Sequence, residues 1–158
     1  MSLTMKPEVI NRSEKDFIYI EKQGDFKETA PASWREFFPL TNGHIEKSKI
    51  QGCVALSNIQ KDNKGDELMI YQAGYEVVEK PMIIPKGTTY RKIPGGKFAR
   101  FVLKGPYTEI NHAFHTVMEV LEKEHFELRP DFCIENYLND PTETPEDQLL
   151  TEILVPIQ

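Results

Sequence analysis

The stretch FCIENYL at residues 132–138 carries the side chains whose types and spacing are best suited to binding a ligand. Successive side chains of a β-strand alternate between its two faces, so Cys133, Glu135 and Tyr137 are predicted to lie on one face. Burying a carboxylate there without a partner is unfavourable and raises its pKa. Because a positively charged ligand would remove that penalty, we interpret Glu135 as a cation-binding residue with Tyr137 beside it. The alternative is a solvated strand residue or an ion pair with Lys or Arg.

Aromatic side chains supply a second set of candidate ligand contacts. Their rings attract cations and pack on flat ligands, with each contact contributing about 0.5–2 kcal/mol. Trp34, near the start of the first predicted helix, and Tyr71, in a predicted strand, are the leading candidates, and Phe101 joins them. For most of the other aromatic residues, a place in the hydrophobic core is the expected explanation. These others include Tyr19, Phe37, Phe38, Tyr75 and Tyr107.

The remaining candidate motifs fail on spacing. His112 and His115 lie three residues apart on a predicted helix, but no nearby Cys or carboxylate completes a metal site. The GGK stretch at 95–97 precedes a strand rather than a helix, unlike a phosphate-binding loop. The sequence also lacks the G-x-S-x-G motif of an activated serine. We therefore predict no metal ligand, no cofactor and no catalytic residue.

The order strand, helix, strand, strand is predicted twice along the chain, which indicates an internal repeat. The first copy has strands at 17–23, 53–59 and 68–78 and a helix from about 32 to 45, with Thr29 or Ser33 as the N-cap. The second copy has strands at 97–104, 132–138 and 149–157 and a helix at 109–124, whose apolar residues recur every three or four positions. The chain is thus interpreted as one domain, 1–158, with repeats at 16–78 and 95–157.

Two such units bury their helices most easily on one face of a shared antiparallel sheet. We therefore predict an α+β fold with a single curved antiparallel sheet, two main helices on one face and a groove between the two halves. Grooves of this kind are common small-molecule sites. The position of the first copy that corresponds to Glu135 is predicted to be Val54, so the carboxylate belongs to one half alone.

The overall composition excludes several classes of partner. A chain of 158 residues suffices for one domain with a buried core. Its net charge of −6, with no offsetting basic run, argues against direct nucleic-acid binding. No apolar stretch reaches the roughly 20 residues of a membrane span, and no signal peptide is evident, so we expect a cytoplasmic protein without a membrane partner. In that compartment Cys53 and Cys133 are expected to be free thiols.

Residues 95–157 resemble the GyrI-like small-molecule binding domain. The similarity is most specific in ENYLNDP at 135–141 and LTEILVP at 150–156, whereas the first copy fits only in outline, through residues 17–24 and Trp34. The family includes the bacterial DNA gyrase inhibitor and the effector-binding domains of multidrug-responsive and AraC-type transcription regulators. The resemblance implies that Glu135, in the E-x-Y strand, neutralises lipophilic cationic ligands with Tyr137 beside it. About 15 residues precede the first strand, too few for a helix-turn-helix domain, so a stand-alone binding domain is expected.

Three functions are compatible with these observations. The first is a module that binds lipophilic, cationic small molecules. The second is a hydrolase that uses the same pocket to detoxify electrophilic natural products, with Glu135 as general base. The third is a protein inhibitor whose acidic surface binds a protein partner, either DNA gyrase or a regulator. We favour the binding module, so an enzyme is the less expected outcome.

Overall fold

The computed structural model describes residues 2–158, and within them the chain forms nine β-strands and two α-helices. In chain order these are β1 (Ser2–Leu3), β2 (Glu8–Arg12), β3 (Lys15–Gln23), α1 (Phe26–Thr41), β4 (Ile50–Lys61), β5 (Glu67–Val77), β6 (Thr89–Ile93), β7 (Gly96–Lys104), α2 (Ile110–Lys123), β8 (Cys133–Tyr137) and β9 (Leu150–Pro156). The predicted α+β class, with antiparallel strands and two main helices, is confirmed. Neither helix is long and apolar enough to cross a membrane, as far as residues 2–158 are concerned.

The chain divides into two compact units. The first unit is Ser13–Gly95, and the second unit combines the residues up to Arg12 with Gly96–Gln158. The order strand, helix, strand, strand occurs in each, as β3-α1-β4-β5 and as β7-α2-β8-β9. The division into repeats at 16–78 and 95–157 stays a prediction.

In the first unit the antiparallel strands lie in the order β4-β5-β3-β6, and α1 packs on β5 and β3. The core beneath α1 is built from Ile18, Ile20, Phe37 and Val77. Gly74 is required where β5 pairs with β3, because a Cβ at this position would overlap the carbonyl oxygen of Ile18 and lie 2.7 Å from the Cα of Tyr19.

The predicted bounds of the first helix, 32–45, are wrong. Helix α1 begins at Phe26 because Asp25 caps it, its carboxylate accepting a hydrogen bond from the backbone N–H of Lys27. Thr29 and Ser33, the predicted N-caps, lie instead inside the helix on its buried side. The helix ends at Thr41, and Gly43, with a φ of 78°, then turns the chain away.

In the second unit β1 and β2 both pair with β7, which pairs with β9, and β9 pairs with β8. The amphipathic helix predicted at 109–124 is confirmed as α2. Its buried residues, Ile110, Ala113, Val117 and Leu121, pack on the strands in one hydrophobic cluster. Phe101 and Ile153 belong to the same cluster, which shows that they lie on the face of the sheet that α2 covers.

Candidate functional site

The register of the second unit positions Glu135 on the face of the sheet that carries α2. Glu135 of β8 is paired with Ile153 of β9, and Ile153 is paired with Phe101 of β7. Because directly paired residues point to the same side of a sheet, Phe101, Ile153 and Glu135 form one row. A second row runs parallel to it, from Leu103 through Thr151 to Tyr137.

Glu135 is a buried carboxyl group that has no basic partner in the described part of the chain. Its residue surface is 7% exposed, and its carboxylate Oε2 accepts a hydrogen bond of 2.6 Å from the hydroxyl of Tyr137. No Lys, Arg or His among residues 2–158 forms an ion pair with it. Burial raises the pKa of Glu135 to about 7, and the hydrogen bond from Tyr137 opposes that rise only in part. In the free protein at neutral pH this group therefore exchanges between its protonated and its charged form.

Along β8, Glu135 lies between the aromatic ring of Tyr137 and the thiol of Cys133. The ring of Tyr107 lies 5.2 Å from the ring of Tyr137, at an interplanar angle of 55°. Burial, and then the charges of Glu135 and Asp131, raise the pKa of Cys133 to about 12. The thiol therefore stays protonated at neutral pH and is unsuited to act as a nucleophile.

Trp34 and Tyr71 form the second pair of predicted residues, within the first unit. The indole Nε1–H of Trp34 donates a hydrogen bond of 3.1 Å to the hydroxyl of Tyr71, which is 1% exposed. The indole also stacks on Phe38, with ring centroids 5.3 Å apart, and Phe26 contacts the Tyr71 ring at 6.1 Å. Helix α1 is thus linked to Tyr71 of β5 by the hydrogen bond of Trp34 and by the ring contact of Phe26.

The structure brings the predicted site residues together in two pairs, Glu135 with Tyr137 and Trp34 with Tyr71. Phe101 is 1% exposed within the core beneath α2, so its contact with a ligand stays a prediction. Sequence reasoning did not select Tyr107, whose proximity to Tyr137 depends on the short 3-10 helix Tyr107–Glu109 that leads from β7 into α2. A signal for it was present, since Tyr107 directly follows the Gly-Pro pair that ends β7.

The position predicted to correspond to Glu135 in the first unit requires a correction. Val54 is paired with Gly74, on the face away from α1, whereas Ala55 is paired with Ala73, which in turn is paired with Ile20. Ile20 lies in the core beneath α1, as Phe101 does beneath α2. By register the counterpart of Glu135 is therefore Ala55, and the alignment from sequence was displaced by one residue.

His112 and His115 are exposed on α2. Within residues 2–158, no group of three or more His, Cys, Asp or Glu side chains is arranged to hold a metal ion. The site's chemistry therefore rests on one carboxyl group, its tyrosine partner and the rings around them. Such a group can neutralise a cation when charged, or accept a proton near neutral pH.

Small-molecule sites commonly combine aromatic side chains with a few precisely placed polar groups, and Glu135 beside Tyr137 and Tyr107 fits that description. The family model of the GyrI-like small molecule binding domain matches residues 5–158, and the chain belongs to this family. None of the curated proteins matches the sequence.

Several solved structures share the fold at low sequence identity. SAV2435 bound to tetraphenylphosphonium is 12% identical, with a TM-score of 0.75 over 98% of this chain and 94% of that one. The C-terminal domain of EcmrR is 18% identical, with a TM-score of 0.71 over 97% of both chains. A hydrolase from Listeria innocua is 12% identical, with a TM-score of 0.57 over 98% of this chain and 92% of that one.

Proposed function

We propose that this chain binds lipophilic cations and that Glu135 supplies the neutralising charge. The observation that carries the proposal is the burial of Glu135 with one hydrogen-bond donor, Tyr137, and no basic side chain from residues 2–158 to balance its charge. A buried carboxyl group in this state is destabilised when ionised, and a bound cation removes that destabilisation. Binding energy and charge selectivity then come from the same group.

The rings around Glu135 favour a ligand that is apolar as well as charged. Tyr137 and Tyr107 offer aromatic surface beside the carboxyl group, and aromatic faces attract cations. Trp34, Tyr71 and Phe101 are proposed as further ligand contacts, as the sequence predicts. Tetraphenylphosphonium, which is present in the SAV2435 structure, combines a delocalised positive charge with an aromatic surface and is a suitable first probe.

The test compares tetraphenylphosphonium with a neutral compound of similar shape, triphenylphosphine oxide, by isothermal titration calorimetry. Glu135→Gln keeps the size of the side chain and removes its charge. We expect the affinity for the cation to fall at least about tenfold, since losing the partner of a buried charge costs roughly 2–5 kcal/mol, while the neutral compound is little affected. Glu119→Gln, an exposed position on α2, is the matched control for the loss of one negative charge.

Equal cation affinity in the wild type and in Glu135→Gln would contradict the proposal. So would the absence of cation binding in the wild type over a panel that includes lipophilic dye cations. Thermal unfolding of each variant shows whether a loss of affinity reflects a loss of folding.

A hydrolase is the second candidate function, favoured by the proton affinity of Glu135. A carboxyl group whose pKa is about 7 can accept a proton from water at neutral pH, and the Listeria innocua neighbour is described as a hydrolase. Incubation with electrophilic compounds, followed by mass spectrometry of products, tests it. Product formation that Glu135→Gln abolishes would favour the enzyme, and binding without turnover would favour the binding module. Inhibition of DNA gyrase stays a prediction from the family resemblance.

A further inference from the structure

The segment between β5 and β6 presents two large apolar side chains to solvent. Met82 is 103% exposed and Ile83 is 82% exposed, the highest values among the exposed large hydrophobic residues of the described chain. We call these two residues the apolar tip. Adjacent apolar side chains held in full contact with water are unfavourable, and such features commonly mark interaction sites.

The segment that carries the apolar tip is held in place at both ends. Before the tip, the backbone N–H of Val78 donates a hydrogen bond to the carbonyl oxygen of Lys49, at 2.9 Å. After the tip, Thr88 closes a turn on the carbonyl oxygen of Pro85, through its hydroxyl at 2.6 Å and its N–H at 3.0 Å. The tip therefore lies in a bend between two hydrogen-bonded points of the backbone.

The residue that follows the apolar tip points the other way. Ile84 packs against the core of the first unit, in the cluster beneath α1. Gly87, with a φ of 88°, lies against Leu40 of α1, where an added Cβ would come within 3.0 Å of the Leu40 side chain. One isoleucine is thus buried as an anchor while its neighbour, Ile83, is displayed.

The charges beside the apolar tip are positive, in contrast to the chain as a whole. Lys80 and Lys86 flank the tip, and the Nζ of Lys80 lies 4.8 Å from the ring centroid of Tyr90. Glu79, the acidic residue of this segment, is paired with Lys49 at 3.0 Å. The net charge of the chain is −6, but salt screens charges beyond about 8–10 Å, so the local lysines determine what the tip attracts.

We infer that the apolar tip inserts reversibly into a phospholipid surface that contains anionic lipids, with Lys80 and Lys86 against the headgroups. Two side chains supply far less surface than the roughly 800 Å² per partner that a stable protein interface buries. A lipid surface needs no complementary hollow, and it accepts a small apolar protrusion flanked by basic residues. The sequence predicted no membrane partner because it lacks a spanning segment, and a surface contact of this kind leaves no such signal. The inference does not depend on the ligand proposed for Glu135.

The test is flotation of the protein with vesicles of phosphatidylcholine, with and without phosphatidylglycerol. We expect the wild type to bind the anionic vesicles and to be released by high salt. Met82→Ser/Ile83→Ser should reduce the partition coefficient at least about tenfold, because the transfer of both apolar side chains is lost. Lys80→Gln and Lys86→Gln should each reduce it about fivefold on anionic vesicles alone.

Ile59→Ser is the matched control, since Ile59 is 54% exposed on β4 of the same unit and should not alter partitioning. Thermal unfolding and tetraphenylphosphonium titration of the tip variant separate this inference from the proposed function, because neither should change. The inference is overturned if the wild type does not float with anionic vesicles, or if the tip variant floats as well as the wild type. It is also overturned if light scattering shows a self-associated wild type and a monomeric tip variant, which would make the tip a contact between copies.

Discussion

The two units carry different side chains at corresponding positions beneath their helices, and only the second has a carboxyl group there. Beneath α2 the first row is Phe101, Ile153 and Glu135, and the corresponding row beneath α1 is Ile20, Ala73 and Ala55. In the next row the second unit has Thr151 and Tyr137, where the first unit has Tyr71 and Ser57.

The comparison shows how one strand arrangement yields two environments. In the second unit β8 carries the large polar side chains, Glu135 and Tyr137, and β9 carries the smaller Thr151. In the first unit β5 carries Tyr71, and β4 carries the small residues Ala55 and Ser57. The hydroxyl of Tyr137 consequently bonds a carboxyl group, and that of Tyr71 bonds an indole. The hydrogen bonding beneath each helix therefore depends on which strand carries the large side chain, while the strand arrangement stays the same.

The largest effect is expected from copying the carboxyl group into the first unit. Ala55 is 0% exposed, so Ala55→Glu buries a group for which position 57 offers serine rather than tyrosine. We expect a loss of about 3 kcal/mol or more in the free energy of unfolding at pH 8, measured by urea denaturation. Ala55→Gln separates the effect of charge from that of size. A variant Ala55→Glu as stable as the wild type would show that the first unit accommodates the same chemistry.

The next effect concerns stability and pH in the second unit. The pKa of Glu135 is about 7 in the folded protein and 4.5 as a model value, so between these values the folded state holds a proton that the unfolded state releases. Stability therefore falls as the pH rises from about 4.5 to 7, by about 3 kcal/mol from this group, and is level above that. Urea denaturation at a series of pH values should show this loss in the wild type and not in Glu135→Gln. Parallel curves for the two proteins would contradict it.

The affinity for a cation should follow the opposite trend. Since the cation binds the charged form of Glu135, protons compete with it below pH 7, where the affinity should fall about tenfold per pH unit, and the affinity should be level above pH 7. Calorimetry in buffers of different ionisation enthalpy should detect proton release on binding near pH 6. Affinity that is independent of pH between 5 and 8 would mean that Glu135 does not pair with the ligand.

The smallest effect separates the hydroxyl of Tyr137 from its ring. Tyr137→Phe removes the hydrogen bond that lowers the pKa of Glu135, so that pKa rises further and the midpoint of the affinity profile moves to higher pH. At pH 7 we expect a three- to tenfold loss of affinity for tetraphenylphosphonium, in line with one hydrogen bond. Tyr107→Phe keeps a ring at the neighbouring position and serves as the control. An unshifted midpoint in Tyr137→Phe would argue that the bond has no part in binding.

The sequence predicted those helices and strands that can be recognised from the pattern of their own residues. The apolar spacing of α2 and the alternation around Glu135 needed no information from the rest of the chain. Strands β1, β2 and β6 were not predicted, because they are short and mostly polar and exist through pairing with β7 or β3. The start of α1 was misplaced because Thr29 or Ser33 was predicted as its N-cap, whereas Asp25 caps the helix earlier.

The pairing of Glu135 with Tyr137 follows from residues two positions apart on one strand and could be predicted. The bond between Trp34 and Tyr71 joins residues far apart in sequence, and both were selected without any knowledge that they meet. The error at Val54 has a related cause. An alignment of two repeats cannot locate a single inserted residue between strands, and in a sheet one residue changes the face.

The close approach of the β3 backbone to Gly74 limits how the first unit can vary. Because even a methyl group at this position would collide with the main chain of β3, random mutagenesis should recover no functional substitute there. Tyr71, three residues earlier on β5, could be replaced while the alignment of β5 with β3 remained unaltered. Where β5 pairs with β3, evolution of the first unit is therefore expected to change side chains while the backbone keeps its course.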